Sequence, residues 1–433
     1  MRSFRFLLIL LTLWFGPQWG QAAQDSLLAT GNYAFYFNRS VIGEPEWHDS
    51  LHNLVELKGL FQANSASLPF LLPLHLLFKQ DISNPLKKRT ETFPGRHIRF
   101  EDELSASVKY SHRFSSSGFW IQVRYGYRTC RNLFADNDVY GLVFFGNARY
   151  EDKSISLNNL TFSNFSYVKT GIGFGQRKQT GKELTIGYGI HLDVLQGINV
   201  QQAKNRGGSL YTAPDGEYIE ARYDLTLNIG REGAVRYTDW NGVGGSLDAF
   251  IYAEKKNHRI SLSVQDLGYL YFKPKAVNYT GSNTVRFQGI VISDLLNIGN
   301  QRFDSLNTDS LLKSYLPGQS REAFGTITPT RVDLTYSLHI PKKNMTFTAG
   351  LRWKNLTGYY AYGFIQSDFF LRKNWAVSIH AGSGSYDLFN LGLQVTKFWK
   401  SFFITLGSDN LAGTILPMYY PGGGLMIRSG VRF

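Results

Sequence analysis

Residues 425–433 run Leu-Met-Ile-Arg-Ser-Gly-Val-Arg-Phe, so that Leu425, Ile427, Val431 and Phe433 share one side of an extended chain while Arg428, Gly430 and Arg432 share the other. A period of two sets one face against an apolar medium and the other against a wet one. A strand of this kind that stops on an aromatic, with Val431 two positions before Phe433, is expected to close a barrel in an outer membrane. There its end is read by the barrel-assembly machinery. The expected class is all-β: a transmembrane antiparallel β-barrel.

The same alternation recurs upstream. Leu104, Ala106, Val108 and Tyr110 alternate with Ser105, Ser107, Lys109 and Ser111, and Phe119, Ile121, Val123, Tyr125 and Tyr127 alternate with Gln122, Arg124 and Arg128. Leu184 to Leu192 repeats the pattern. In 219–229 Ile219, Ala221, Tyr223, Leu225, Leu227 and Ile229 oppose Glu220, Arg222, Asp224, Thr226 and Asn228. Further strands are expected at 247–255, 258–267, 331–340, 344–354, 359–371, 374–382, 388–397 and 401–408. The sum is about fourteen, within a range of twelve to sixteen, and an even number is expected. Several connections are short and basic: Glu254-Lys255-Lys256-Asn257, Pro341-Lys342-Lys343-Asn344, Arg372-Lys373-Asn374 and Phe398-Trp399-Lys400. Counting back from Phe433 sets these on one side, expected to be periplasmic, and the long connections 230–246, 268–328 and 409–424 on the other. Short turns inside and long loops outside is the usual asymmetry of such barrels.

The beginning of the chain agrees. A basic Met1-Arg2-Ser3-Phe4-Arg5 precedes an apolar run from Phe6 to Phe15, and Gly20-Gln21-Ala22 offers small residues for cleavage after Ala22. Residues 1–22 therefore read as a secretory signal peptide, too short for a spanning helix. The expected address is the outer membrane of a Gram-negative bacterium. Residues 23–96 form an N-terminal segment with two readings: a hatch inside the pore, or a first strand with a periplasmic linker. The barrel is expected over 97–433. The 268–328 connection is too long for a simple turn, and reads either as a lid or plug at the mouth or as a structured surface loop.

Aromatics make up 15% of the chain and Gly contributes 43 residues, as suits strands that alternate between lipid and lumen with aromatic girdles at each interface. One cysteine, Cys130, excludes an intrachain disulfide. The formal charge of +13 is expected to face outer-membrane lipid and lipopolysaccharide rather than nucleic acid. The histidines show no ligand spacing, and neither Gly-x-Ser-x-Gly nor a phosphate-cradling Gly-x-x-x-x-Gly-Lys occurs. No metal, cofactor or catalytic residue is expected, and the chain does not read as an enzyme. The alternation points Lys109, Arg124, Arg128, Arg222, Arg352, Arg428 and Arg432 into the lumen, with Glu220, Asp224 and Asp333. Two readings stay open: an ion-pair lattice that stiffens a narrow barrel, or an electropositive path for an anionic or amphipathic solute.

Gly242-Val243-Gly244-Gly245-Ser246-Leu247-Asp248-Ala249 leads through a short turn to Ile260-Ser261-Leu262-Ser263-Val264-Gln265-Asp266-Leu267-Gly268. This resembles the internal signature of FadL-like and PorV-like barrels. With Phe145-Gly146-Asn147-Ala148, Val285-Arg286-Phe287-Gln288-Gly289 and Ser408-Asp409-Asn410-Leu411, the order of pieces resembles a Bacteroidota family of outer-membrane barrels of unknown function, over about 50–433. Ala249 stands where the motif has Gly, and Asn38-Arg39-Ser40 where FadL-like chains carry Asn-Pro-Ala. The resemblance implies passive transport of small hydrophobic or amphipathic molecules. Its PorV and PorP/SprF side implies instead a scaffold for a cell-surface assembly of the type IX secretion or gliding kind, with surface-complex proteins as partners.

Overall fold

The structure is a computed structural model that describes residues 36–45, 52–78, 80–91, 97–114, 118–181, 183–231, 236–273, 276–288, 318–371 and 374–433. The signal-peptide expectation for 1–22, Tyr33 to Phe35, Arg372-Lys373 and the apolar stretches Ile290–Leu296 and Ser310–Tyr315 lie outside these residues.

The strands in chain order are β1 (Asn53–Ser65), β2 (His97–Arg113), β3 (Phe119–Asp136), β4 (Lys153–Ser156), β5 (Thr161–Thr180), β6 (Leu184–Thr212), β7 (Tyr218–Ile229), β8 (Gly242–Lys255), β9 (His258–Phe272) and β10 (Val277–Gln288). They continue as β11 (Gly318–Ser320), β12 (Phe324–Ile327), β13 (Arg331–Ile340), β14 (Met345–Lys354), β15 (Tyr362–Leu371), β16 (Trp375–Gly384), β17 (Asp387–Phe398), β18 (Phe402–Ser408) and β19 (Gly423–Arg432). Fourteen of them close an antiparallel ring: β1, β2, β3, β5, β6, β8, β9, then β13 through β19. The seam closes because β1 pairs on one side with β2 and on the other with β19, from Leu54↔Arg432 to Ala63↔Gly423. Below it the Asn53 and Phe433 backbones exchange two hydrogen bonds of 2.9 and 3.1 Å.

Alternation places the two media. Tyr125, Ile172 and Leu351 each leave more than half their surface open on the outer face of the ring, and so continuous an apolar belt belongs in lipid. The inner face is polar. Buried hydroxyls bond across strands, as in Ser337 to Thr348 and Thr396 to Thr405, both at 2.8 Å. Bulk is accommodated by glycine: a Cβ on Gly171 would lie 2.1 Å from Asp193 Oδ1, and one on Gly173 would lie 2.0 Å from His191 Cδ2.

The short basic turns lie at the end of the ring where Asn53 meets Phe433, and the long connections lie at the other. One expectation needs correction. β7, whose alternation is among the most regular in the sequence, is not part of the ring. The 29-residue β6 outruns the wall; its first half pairs with β8 and its second half with β4 and β7. β7 then pairs with β10, and Tyr223, Leu225, Leu227 and Ile229 pack with Val277 and Tyr279. A two-residue period reports that one face is apolar but not what covers it, and here the cover is a neighbouring strand. The described part of 268–328 divides between this sheet and the ring: β10 pairs with β7 and β11 with β10, while β12 pairs with the upper end of β9.

Among the described residues are five α-helices, α1 (Tyr36–Ile42), α2 (Leu71–Phe78), α3 (Asn84–Glu91), α4 (Asn137–Phe145) and α5 (Leu411–Ile415), and three single 3-10 turns. Leu72, Leu86, Tyr140 and Phe144 from α2, α3 and α4 bury against Ile98, on the outer side of upper β2. Burial there pushes the Tyr140 hydroxyl up to about 12. α5 fills a break in the wall. The β17–β18 ladder ends at Leu393↔Ser408 and the β18–β19 ladder at Gly407↔Met426; beyond them Thr414 Oγ1 bonds the Gly424 backbone at 3.0 and 3.1 Å, and Asn410 caps α5 through Gly413 N at 3.2 Å.

Candidate functional site

α1 lies inside the ring at its short-turn end. Tyr36 meets Phe398 edge-on at 5.0 Å, Asn38 Nδ2 donates to Thr335 Oγ1 at 2.8 Å, and Ile42 packs with Trp120, Phe250 and Tyr252. Just beyond the helix, the Glu44 carboxylate accepts from Tyr252 Oη at 2.7 Å and from Arg259 at 2.8 Å. Arg259 is buried, and the Tyr252 ring lies 3.7 Å from its guanidinium carbon. A charge so enclosed requires a partner. Residues 36–45 thus occupy the lumen, while 53–65 supply a first strand; that strand runs from the short-turn end to the long-loop end, so the chain after it does not lie on the side where a periplasmic linker was expected.

Above the plug, one side of the lumen is a continuous ion-pair lattice. Arg124 Nε donates to Asp193 at 2.6 Å and its Nη1 to Asp248 at 2.5 Å. Arg128 pairs with Glu103 at 3.1 Å and with Asp266, Lys169 reaches Asp266 at 2.6 Å and Asp248 at 3.6 Å, and Lys354 pairs with Glu101. Asp248 and Asp266 belong to the signature read from the sequence, and the structure gives its physical reason. The β8–β9 register shifts between Leu247 and Ala249, a bulge that turns Asp266 to a φ of 54°. Aspartate tolerates that left-handed conformation better than most residues. The Asp266 N–H, freed from the ladder, donates to Asp248 Oδ1 at 2.7 Å, and both carboxylates then face the cations of β3 and β5.

Across the lumen the balance differs. Glu56 accepts from Arg428 at 2.5 Å and lies 3.5 Å from Lys109, and Asp333 takes Arg331 at 2.5 Å and Arg352 at 2.7 Å. With Lys58 added, these cations outnumber Glu56, Asp333 and Asp409. Between the two sides is a cavity of about 250 Å³, floored by Phe37 and Ile42 of α1. Lys58, Arg331 and Arg352 line one side of it with Asp409 and the apolar Leu60 and Met426, and Glu103, Asp248 and Asp266 line it from the lattice side.

Lys109, Arg124, Arg128, Arg352, Arg428 and Arg432 all point into the lumen, and Arg432 lies 5.0 Å over the Phe403 ring beside the plug. Arg222 does not: it is exposed on β7, outside the ring, and Glu220 and Asp224 share that strand. Phe433 and Val431 turn outward at the seam. The alternation that selected the cations also pointed Lys58, Lys169, Asp193, Glu56 and Glu103 inward, but sequence reasoning passed over them. Their pairing depends on which strands become neighbours around the ring.

No curated protein matches the chain. Solved structures similar to it include the toluene transporter TodX of P. putida, 9% identical over 96% of this chain and 94% of that one with a TM-score of 0.41. The Ralstonia pickettii toluene transporter TbuX is 9% identical over 89% and 90%, with a TM-score of 0.40. A Pseudomonas aeruginosa FadL homologue is 7% identical over 88% and 90%, with a TM-score of 0.38. A family model described as "Family of unknown function (DUF5723)" matches residues 74–409, and the chain belongs to that family.

Proposed function

We propose that this protein is an outer-membrane barrel that admits a small amphipathic anion to its lumen and releases it when α1 leaves the short-turn end. The observation that carries this reading is the cavity in which Lys58, Arg331 and Arg352 adjoin Leu60 and Met426. Cations beside an apolar surface complement an anionic head and a hydrocarbon body: Arg331 and Arg352 share the one Asp333 carboxylate, and a bare hydrocarbon would leave the Lys58 ammonium unsolvated. The volume lies below the ~300 Å³ at which ordinary ligand pockets begin, so the solute is small.

The plug supplies the test. Cysteines at Asn38 and Thr335, whose side chains touch at 2.8 Å, would tie α1 to β13, and the native Cys130 is buried. In proteoliposomes the oxidised variant should pass little octanoate and the reduced one should regain flux, with octyltrimethylammonium excluded throughout. Equal octanoate flux in both redox states, or equal passage of the cation, overturns the proposal. A second reading, a scaffold for a surface assembly, is favoured by the sheet that β6, β7 and β10 raise beyond the wall. It predicts a stoichiometric partner complex recovered from native membranes, lost when β7 and β10 are removed, with no octanoate flux in any form.

A further inference from the structure

The outer side of the barrel carries an apolar ledge beneath basic residues, at one height on one sector of the wall. Height follows from strand geometry. Ten residues of β1 separate Asn53 from Ala63; at about 3.3 Å each and a tilt near 40°, they climb roughly 25 Å, the height of the apolar band of such barrels. Ala63, paired with Gly423, therefore marks the top of the band. There Phe70, leading into α2, covers the Gly423 backbone, where a Cβ would meet its ring at 2.5 Å. The Phe70 and Leu71 N–H groups donate to the carbonyls of Tyr420 and Pro417 at 3.0 and 2.8 Å. These bonds join α2 to the 416–420 loop, and the combined surface is apolar and open: Phe78 is 64% exposed, Leu76 49% and Tyr419 54%. Immediately above, Leu86 of α3 is buried against Ile98, two strand positions higher on β2 than Phe100. That orientation leaves Lys88 exposed and brings Arg89 over the Tyr419 ring at 5.5 Å. At the end of α3, Glu91 accepts from Arg149 at 2.6 Å.

We propose that this ledge binds a multiply acylated, phosphate-bearing glycolipid of the outer leaflet, of the lipid A type. Its acyl chains lie on Leu76, Phe78 and Tyr419, and a headgroup phosphate meets Lys88 and Arg89. Three observations select a lipid over a protein partner: the ledge continues the lipid-facing belt, it stops at the height where acyl chains give way to headgroups, and its cations sit just above that line. The outer leaflet follows from position, because the ledge is at the long-loop end. The inference is independent of what occupies the lumen.

The test uses the full mature chain in detergent, with lipid A as probe and bound lipid counted by native mass spectrometry. Each basic residue at a membrane surface contributes a factor of about five to anionic lipid binding, so Lys88→Gln with Arg89→Gln should weaken retention about thirtyfold. Phe78→Ser should weaken it independently, with heat-modifiable gel mobility showing that all variants remain folded. Dephosphorylated lipid A should bind wild type as weakly as lipid A binds the double variant, and phosphatidylglycerol should not displace lipid A at equal concentration. Equal retention by wild type and the charge variant, equal binding of the dephosphorylated lipid, displacement by phosphatidylglycerol, or a protein held on the ledge in place of lipid would each overturn the proposal.

Discussion

Arg124→Met removes the hub of the lumen lattice and tests whether its ion pairs hold the wall together. Asp193 has no exposed side-chain surface, and without Arg124 it keeps only the Ser246 hydroxyl, at 3.2 Å. Asp248 fares better, since Lys169 at 3.6 Å and the Asp266 N–H at 2.7 Å remain. The cost therefore falls on one buried, uncompensated carboxylate, for which about 3–5 kcal/mol is expected. Adding Asp193→Leu removes that orphan and fills its space, so the double variant should recover about 2–3 kcal/mol relative to the sum of the two single changes, the scale found for directly contacting residues. The assay is equilibrium urea unfolding in lipid vesicles, read by tryptophan fluorescence and by gel mobility. A loss below about 1 kcal/mol for Arg124→Met, or additivity within about 0.5 kcal/mol, would mean that water reaches Asp193 and that the lattice does not bear on stability.

Glu44→Ala leaves the buried Arg259 without its carboxylate and should weaken docking of residues 36–45 by about 3 kcal/mol; limited proteolysis should then cut within 36–45 in a barrel of unchanged mobility, and an uncut segment refutes the assignment of a plug. Gly413→Ala would set a Cβ 1.6 Å from the Gly422 carbonyl oxygen, so α5 must shift; the unfolding midpoint should fall by the equivalent of about 1–3 kcal/mol, and an unaltered midpoint would show that α5 does not seal the wall. Deleting Phe433 removes its two backbone bonds to Asn53, about 1–3 kcal/mol at the seam; membrane fractions should contain less folded barrel, and normal levels would contradict a role in closure.

Most ring strands were legible because a strand with lipid on one side and water on the other must alternate along its length; β5 (Thr161–Thr180) was passed over all the same, and β7 stood in its place in the sum of about fourteen. The parity of β19 and the sorting of short basic turns from long loops follow from that one constraint. β7 shows where it stops: Tyr223, Leu225 and Leu227 alternate as faithfully as any wall residue, yet they pack against Val277 and Tyr279. Arg222 was misplaced for the same reason. Parity assigns a side chain to a face, and only the pairing of β6 with both β8 and β7 tells which faces enclose the lumen.

Local chemistry in the sequence determined an outward apolar face and an inward charged one, because these depend on neighbours along the chain. Tertiary structure alone decided that Arg124 meets Asp193 and Asp248, that Glu44 reaches Arg259 across 215 residues of sequence, and that Lys58, Arg331 and Arg352 share one cavity. Those contacts exist only once the ring has closed: its curvature brings strands far apart in sequence across one narrow pore, and no periodicity within a strand carries that distance.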